Sequence, residues 1–212
     1  MPQMADSRLF LREFVRSFHT TGAVLPSGRR LAAALARGVG TLDRPARVLE
    51  VGPGTGAVTL PIVERLGPED RLDLVEFNAA FVERLRDRFA QEPPFSTVAD
   101  RVRIIHGPVE ELPGQATYDV VVSGLPLNNF SVAEVQGVIR AFLQLVAPGG
   151  MLSFFEYIAV RRLRALVSGR AERARLRGIG GELADLLAGR EFRRQAVWLN
   201  VPPAWVHHLR FW

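Results

Sequence analysis

A chain of 212 residues is long enough for one domain with a substantial core, and its 48% apolar and 23% charged residues are those of a globular protein rather than a disordered one. No apolar run approaches the roughly 18 residues that a membrane-spanning helix needs, and the first residues lack the apolar stretch and small-residue cleavage site of a secretory signal. The formal net charge of +5 favours an anionic partner, and all 27 basic side chains are Arg, which meets phosphate with a planar fork. Cys is absent, which excludes disulfides and thiol chemistry.

Residues 6–18 read as an amphipathic helix, with Leu9, Phe10, Leu11, Phe14, Val15 and Phe18 on one side and Arg8, Arg12 and Arg16 in a row on its flank. Two readings fit this helix. It packs on the core, or it lies in a lipid interface with its Phe side chains among the headgroups. A turn-rich connector (22–27) and a second helix over 28–38 follow. Strands are then expected at Arg47–Val51, Leu72–Glu76, Val102–His106, Val120–Ser123 and Met151–Tyr157, with helices at Val58–Leu66, Ala79–Ala90 and Val132–Val146 between them. Such alternation predicts a parallel sheet covered on both faces. The stretch 161–177 holds seven Arg against one acid, Glu172, and reads either as a solvated helix or as a membrane-facing basic patch. Aromatic residues for base stacking are missing from it. Phe192–Asn200 and Val206–Trp212, joined across Pro202-Pro203, predict a final antiparallel pair at one sheet edge.

The chemistry concentrates after the first strand of this series. Glu50-Val51-Gly52-Pro53-Gly54-Thr55-Gly56 links a strand to a helix, and its glycines allow a tight turn and close approach of a ligand to the backbone. The next strand ends in Glu76, 20 residues after Gly56, where a carboxylate can accept both hydroxyls of a ribose. A nicotinamide-binding loop would place its third glycine one residue later, at position 57, which is Ala. Nor does pyrophosphate binding use an acid at position 50. A carboxylate there suits a cationic ligand.

On these residues the chain resembles the class I methyltransferases. The resemblance implies a Rossmann-like α/β fold: a seven-stranded, mostly parallel sheet with an antiparallel C-terminal strand and helices on both faces. It implies N-terminal helices over 1–40 and a methyltransferase domain over 41–212. It also implies S-adenosylmethionine as methyl donor, held by Glu50, Gly52, Gly54, Thr55 and Gly56, with Glu76 on the ribose and Phe77 near the adenine. Many relatives carry an Asp after the glycine that ends the third strand. Here that position is Pro108, which leaves the Val109 backbone or Glu110 for the adenine. Ser123 would lie beside the methyl group.

The acceptor is read from Ser123-Gly124-Leu125-Pro126-Leu127. Adenine-N6 methyltransferases place an aromatic where Leu127 stands, to stack on a flipped base. Phe130 would have to compensate through a different loop. Taken with the first amphipathic helix, residues 21–27, Phe155-Glu156-Tyr157 and Asn200-Val201-Pro202-Pro203-Ala204, the chain resembles bacterial phospholipid N-methyltransferases related to the rRNA adenine dimethylases. This implies methylation of phosphatidylethanolamine by a cytoplasmic protein, peripheral on the inner face of the cell membrane. The partners implied are anionic phospholipid and the lipid substrate, with no nucleic acid and no obligate protein partner. The alternative is an rRNA adenine-N6 or another small-molecule methyltransferase. Tyr157 is the first candidate for binding the amine or phosphate, with Ser123 and Leu125 at the point of transfer and Glu110 and His19 as further proton acceptors. Phe10, Phe14, Phe18, His19, Arg8, Arg12, Arg16, Asn128 and Asn200 are assigned to substrate and membrane. His19, His106, His207 and His208 show no ligand spacing, so no metal is expected.

Overall fold

The computed structural model describes residues 26–158 and 169–212. The expectations placed on the first helix (Arg8, Phe10, Arg12, Phe14, Arg16, Phe18 and His19) and on residues 159–168 lie outside the described residues.

Helix α1 (Pro26–Leu35) runs into a 3-10 turn at Ala36–Gly38, and then the alternating series begins. It comprises β1 (Arg47–Val51), α2 (Thr59–Val63), β2 (Arg71–Glu76), α3 (Ala79–Gln91), β3 (Val102–His106), β4 (Tyr118–Ser123), α4 (Val132–Leu145), β5 (Val146–Tyr157), α5 (Arg170–Leu187), β6 (Glu191–Val197) and β7 (Ala204–Arg210). The seven strands form one sheet in the order β3-β2-β1-β4-β5-β7-β6. The first five are parallel, and β7 inserts antiparallel between β5 and β6. The expected antiparallel pair is present, with β6 as the edge strand. The Arg side chains at 193 and 194 on this edge discourage pairing with another chain.

Both faces of the sheet are covered, which explains why β1 and β4 read as nearly continuous apolar runs rather than alternating ones. On one face Val48, Leu72, Leu74, Val120 and Val122 pack with Leu31 and Leu35 of α1, Ile62 of α2 and Leu85 and Phe89 of α3. On the other, Leu49, Val51, Val121, Leu152 and Phe154 pack with Phe142 of α4 and Ile179 and Leu183 of α5. Each such side chain contributes roughly 1.5–3 kcal/mol through burial. Asn78 caps α3 by accepting from the Ala80 amide at 2.8 Å, and Ser131 with Glu134 closes a capping box on α4.

Three boundaries differ from expectation. Helix α2 is five residues long, flanked by turns. The fifth strand starts at Val146, five residues before the expected Met151, and passes through Gly149-Gly150 with a register shift: Tyr118 pairs with Val146, Val120 with Met151. Helix α5 was not anticipated as a unit. It buries Leu176, Ile179, Leu183 and Leu186 along one side, so the Arg residues at its start lie on a packed amphipathic helix. The adjacent His207 and His208 point to opposite faces. His208 Nδ1 lies 2.8 Å from Ser153 Oγ, and burial pushes its imidazole down to about 4, while His207 Nδ1 meets Glu191 at 2.6 Å. Among the described residues no helix is long and apolar enough to cross a membrane, and no His/Asp/Glu group is placed to hold a metal.

Candidate functional site

The loops after β1 and β4 meet at the C-terminal edge of the sheet, where strand order reverses and open α/β sheets bind ligands. Gly52 donates to the Val75 carbonyl at 3.0 Å and Gly124 to the Val51 carbonyl at 2.8 Å, so sheet pairing extends into both loops. The close fit explains the residue types. A Cβ on Gly52 would come within 2.5 Å of Leu125 Cδ2, and its φ of +70° is strained for any other residue. Gly54 is different. Its φ is also positive, at +57°, but a Cβ there would meet nothing within 4 Å, because it points into open space at the mouth of the cleft.

Two carboxylates stand near this loop, one bonded to it and one buried behind it. Glu76 is 6% exposed, and its oxygens accept from the Gly54 amide at 3.0 Å and the Asn78 amide at 2.8 Å. Burial raises its pKa, partly offset by these bonds. Each oxygen keeps a further lone pair for a hydroxyl donor. Glu50 is fully buried, and neither oxygen has a hydrogen-bond partner. Burial drives its carboxyl up to about 8, with a smaller opposing pull from the neighbouring Thr59 hydroxyl and a further push from Glu76. Thr59 stands beside it without completing a well-formed bond. A buried carboxylate without a partner costs several kcal/mol. A cation in the cleft would remove that cost. Phe77, at the tip of β2, is 39% exposed and presents a ring beside Glu76.

These residues fit S-adenosylmethionine on the structure's own terms. The orphaned Glu50 suits a sulfonium and an ammonium, the Gly54 opening suits close approach to backbone, and Glu76 with Phe77 suits a ribose and an adenine. At the end of β3 the Val109 side chain is 4% exposed and belongs to the core, which leaves its backbone for the ligand. Glu110, the other candidate at this place, is exposed. It lies against α4, where a Cβ on Gly137 would come 3.3 Å from its Oε1.

On the acceptor side Ser123 is fully buried, and its Oγ accepts from the Leu125 amide at 3.3 Å, so the hydroxyl shapes the loop. Leu125 packs against Gly52. Leu127 is 2% exposed and sealed in the core, and Phe130, half-buried, packs against the same cluster. Asn128 is 5% exposed with Oδ1 unpartnered. Tyr157, at the tip of β5, packs on the α1 side against Phe155, ring centroids 5.1 Å apart, and burial raises its pKa. Asn200 lies in the β6–β7 turn, beside the end of β5, where its Nδ2 donates to the Pro202 carbonyl at 2.6 Å.

Two arginines that build the site are not evident as such in sequence. Arg88 of α3 donates to the Thr55 carbonyl at 2.7 Å and stacks 3.9 Å over the Phe95 ring, bracing the glycine loop from beneath. Arg175 of α5 grips both oxygens of Glu172, at 2.7 and 2.6 Å, and donates to the carbonyls of Asn128 and Phe130. It therefore ties α5 to the loop after β4. Within the expected basic patch, Arg175 is a clamp rather than a free surface cation.

Residues 48–150 match a methyltransferase domain family. The chain is 31% identical over 147 residues to an ornithine lipid N-methyltransferase of Singulisphaera acidiphila, covering 69% of this chain and 76% of that protein. It is 29% identical to a ubiquinone/menaquinone biosynthesis C-methyltransferase of Idiomarina loihiensis over 54% of this chain, and spans 43% of that protein's length. Among solved structures, the fold is shared with the O-methyltransferase TomG of Streptomyces achromogenes in complex with S-adenosylmethionine (TM-score 0.64, 21% identity, 93% of this chain and 86% of that one). It is also shared with the 1,6-didemethyltoxoflavin N1-methyltransferase of Burkholderia thailandensis with S-adenosylhomocysteine (TM-score 0.64, 21% identity, 100% and 90%). The cationic donor bound in these neighbours accounts for an orphaned carboxylate beside a glycine loop that a phosphate would not explain: the chain belongs to the S-adenosylmethionine-dependent methyltransferases.

Proposed function

We propose that the protein methylates the primary amine of phosphatidylethanolamine, and then its methylated products, at the surface of an anionic membrane. The observation that carries this reading is the state of the loop after β4. Leu127 is locked in the core where a base-modifying enzyme needs an exposed aromatic, so position 127 offers a flipped adenine no stacking face. An amine on a flexible headgroup needs none. The similarity to an ornithine lipid N-methyltransferase supports a lipid amine and makes ornithine lipid the second substrate to consider.

Bound S-adenosylmethionine supplies a methyl carbon on a cationic sulfur. The amine must reach it in line and as the free base, because an ammonium has no lone pair. Burial keeps the Tyr157 phenol neutral, so it orients the headgroup by hydrogen bonding and does not act as the base. Loss of the proton then falls to solvent at the open rim. The loop holding Ser123 to Leu127 fixes the approach, since it is pinned to β1 by Gly124 and to α5 by Arg175.

The test is transfer of labelled methyl groups from S-adenosylmethionine to three acceptors: phosphatidylethanolamine vesicles, ornithine lipid and undermethylated rRNA. Label in phosphatidylethanolamine is expected. Label confined to ornithine lipid would correct the substrate, and label in RNA alone would overturn the reading.

A further inference from the structure

The turn joining β6 to β7 carries a surface that the cofactor and acceptor sites do not use. Trp198, Leu199 and Val201 are 64%, 65% and 79% exposed. Three large apolar side chains facing solvent within four residues mark an interaction site rather than ordinary surface. The turn is held from inside, because Asn200 is 5% exposed and its side chain bonds the Pro202 carbonyl. The exposed side chains are thus presented by a braced turn.

Its position matters. Strand β6 runs parallel to β5, so the turn lies at the same sheet edge as the tips of β1, β2 and β4. The Ile158 amide donates to the Pro203 carbonyl at 2.7 Å and joins the turn to the end of β5. In a sheet ordered β4-β5-β7-β6, strand spacing places the turn roughly 10–14 Å from the tip of β4. Behind the apolar tip lies an open groove of about 550 Å³ lined by Arg30, Ala33, Arg37, Arg65, Trp198 and Leu199. All three arginines are exposed. A fourth, Arg194, sits 4.9 Å over the Trp205 ring, which in turn packs 6.1 Å from Trp198.

We propose that this turn is a membrane-docking wedge. Trp198, Leu199 and Val201 enter the boundary between headgroups and acyl chains of an anionic bilayer, while the groove arginines take lipid phosphates. The proposal rests on the lipid-amine reading and adds which side of the domain meets the bilayer. Charge complementarity selects this occupant. An apolar tip backed by cations matches a surface that is anionic outside and apolar beneath, and Trp favours that boundary. A second copy of a chain of net charge +5 would bring like charges together. Docked this way, the domain turns its cleft edge toward the headgroups, within a headgroup's reach of the β4 tip.

The sequence has three Trp, so the Trp205→Phe/Trp212→Phe protein reports Trp198 alone. With vesicles of phosphatidylethanolamine and phosphatidylglycerol, its emission is expected to shift to the blue and to be quenched when the acyl chains carry bromine. Unshifted, unquenched emission on vesicles that the protein co-sediments with would overturn the proposal. Trp198→Ser/Leu199→Ser/Val201→Ser should lower vesicle partition by about tenfold or more, given the apolar area removed, with S-adenosylmethionine affinity unchanged. Unchanged partition would overturn it, as would a dimer in sedimentation velocity that only the triple variant dissolves. Short-chain phosphatidylethanolamine in detergent micelles separates the two readings. Its methylation by wild type and triple variant alike supports both. Quenching of Trp198 without methylation of any lipid amine sinks the substrate reading alone, and methylation without quenching sinks the wedge alone.

Discussion

Binding of S-adenosylmethionine to the wild-type protein at pH 7 should release close to one proton, and Glu50→Gln should abolish that release and weaken binding. The cause is the burial of Glu50. Its carboxyl has no exposed surface and no hydrogen-bond partner, and it titrates near 8 rather than at the ordinary 4.5. At pH 7 the empty site therefore holds it mostly protonated. A sulfonium and an ammonium in the cleft favour the carboxylate, and the proton leaves as they enter. In calorimetry the binding enthalpy should vary with the ionisation enthalpy of the buffer, and Glu50→Gln should make it invariant. Loss of the charged partner should cost about 2 kcal/mol, or some thirtyfold in affinity. A buffer-independent enthalpy in the wild type would show that Glu50 does not face the cations. Stability without ligand gives an independent check. The folded-state value lies above the unfolded one, so the contribution of this group is complete below about pH 4.5 and is lost as pH rises through 8. Glu50→Gln should flatten that decline, measured as Tm against pH.

Gly54→Ala should uncouple cofactor binding from folding, while Gly52→Ala damages both. At Gly54 a methyl group meets empty space, so the fold loses only the cost of a non-glycine residue at φ +57°, about 1–2 kcal/mol. That same space is where the ligand must approach the backbone. Obstructing it should lower S-adenosylmethionine affinity on the order of a hundredfold. At Gly52 the methyl group collides with Leu125 and adds overpacking to strain, for a total of about 2–4 kcal/mol seen in denaturant unfolding. Wild-type affinity in Gly54→Ala would move the ligand away from this loop.

Much of this was legible in the sequence, for identifiable reasons. The parallel strands are short Val/Leu/Ile runs ended by polar or glycine residues, and a sheet buried on both faces requires such runs. Glu50 and Glu76 were legible because one opens the glycine loop just before the end of β1 and the other ends β2 at a fixed remove from it. The early start of β5 was hidden because Pro148-Gly149-Gly150 reads as a stop, whereas the strand absorbs it by a register shift. Helix α5 was obscured by Gly178, Gly180 and Gly181 among its arginines, and its burial depends on α4 lying alongside. Arg88 and Arg175 were not legible as site residues at all. Their partners Thr55 and Asn128 are 33 and 47 residues away in the chain, and only the folded sheet brings them together. The bond that Ser123 makes to the Leu125 amide was not legible either, because it depends on how the loop after β4 turns.

If the Glu50–Gly56 loop holds the methyl donor for a lipid amine, that lipid gains methyl groups wherever the folded protein meets it. The most direct measurement is mass spectrometry of lipids extracted from a bacterial host that has phosphatidylethanolamine but no methylated derivatives, expressing the wild-type chain or Gly54→Ala at equal level. Phosphatidylethanolamine species carrying added methyl groups are expected in the wild-type extract, with their near absence for Gly54→Ala. An unaltered lipid profile in cells that contain folded wild-type protein able to bind S-adenosylmethionine would contradict the lipid-amine reading.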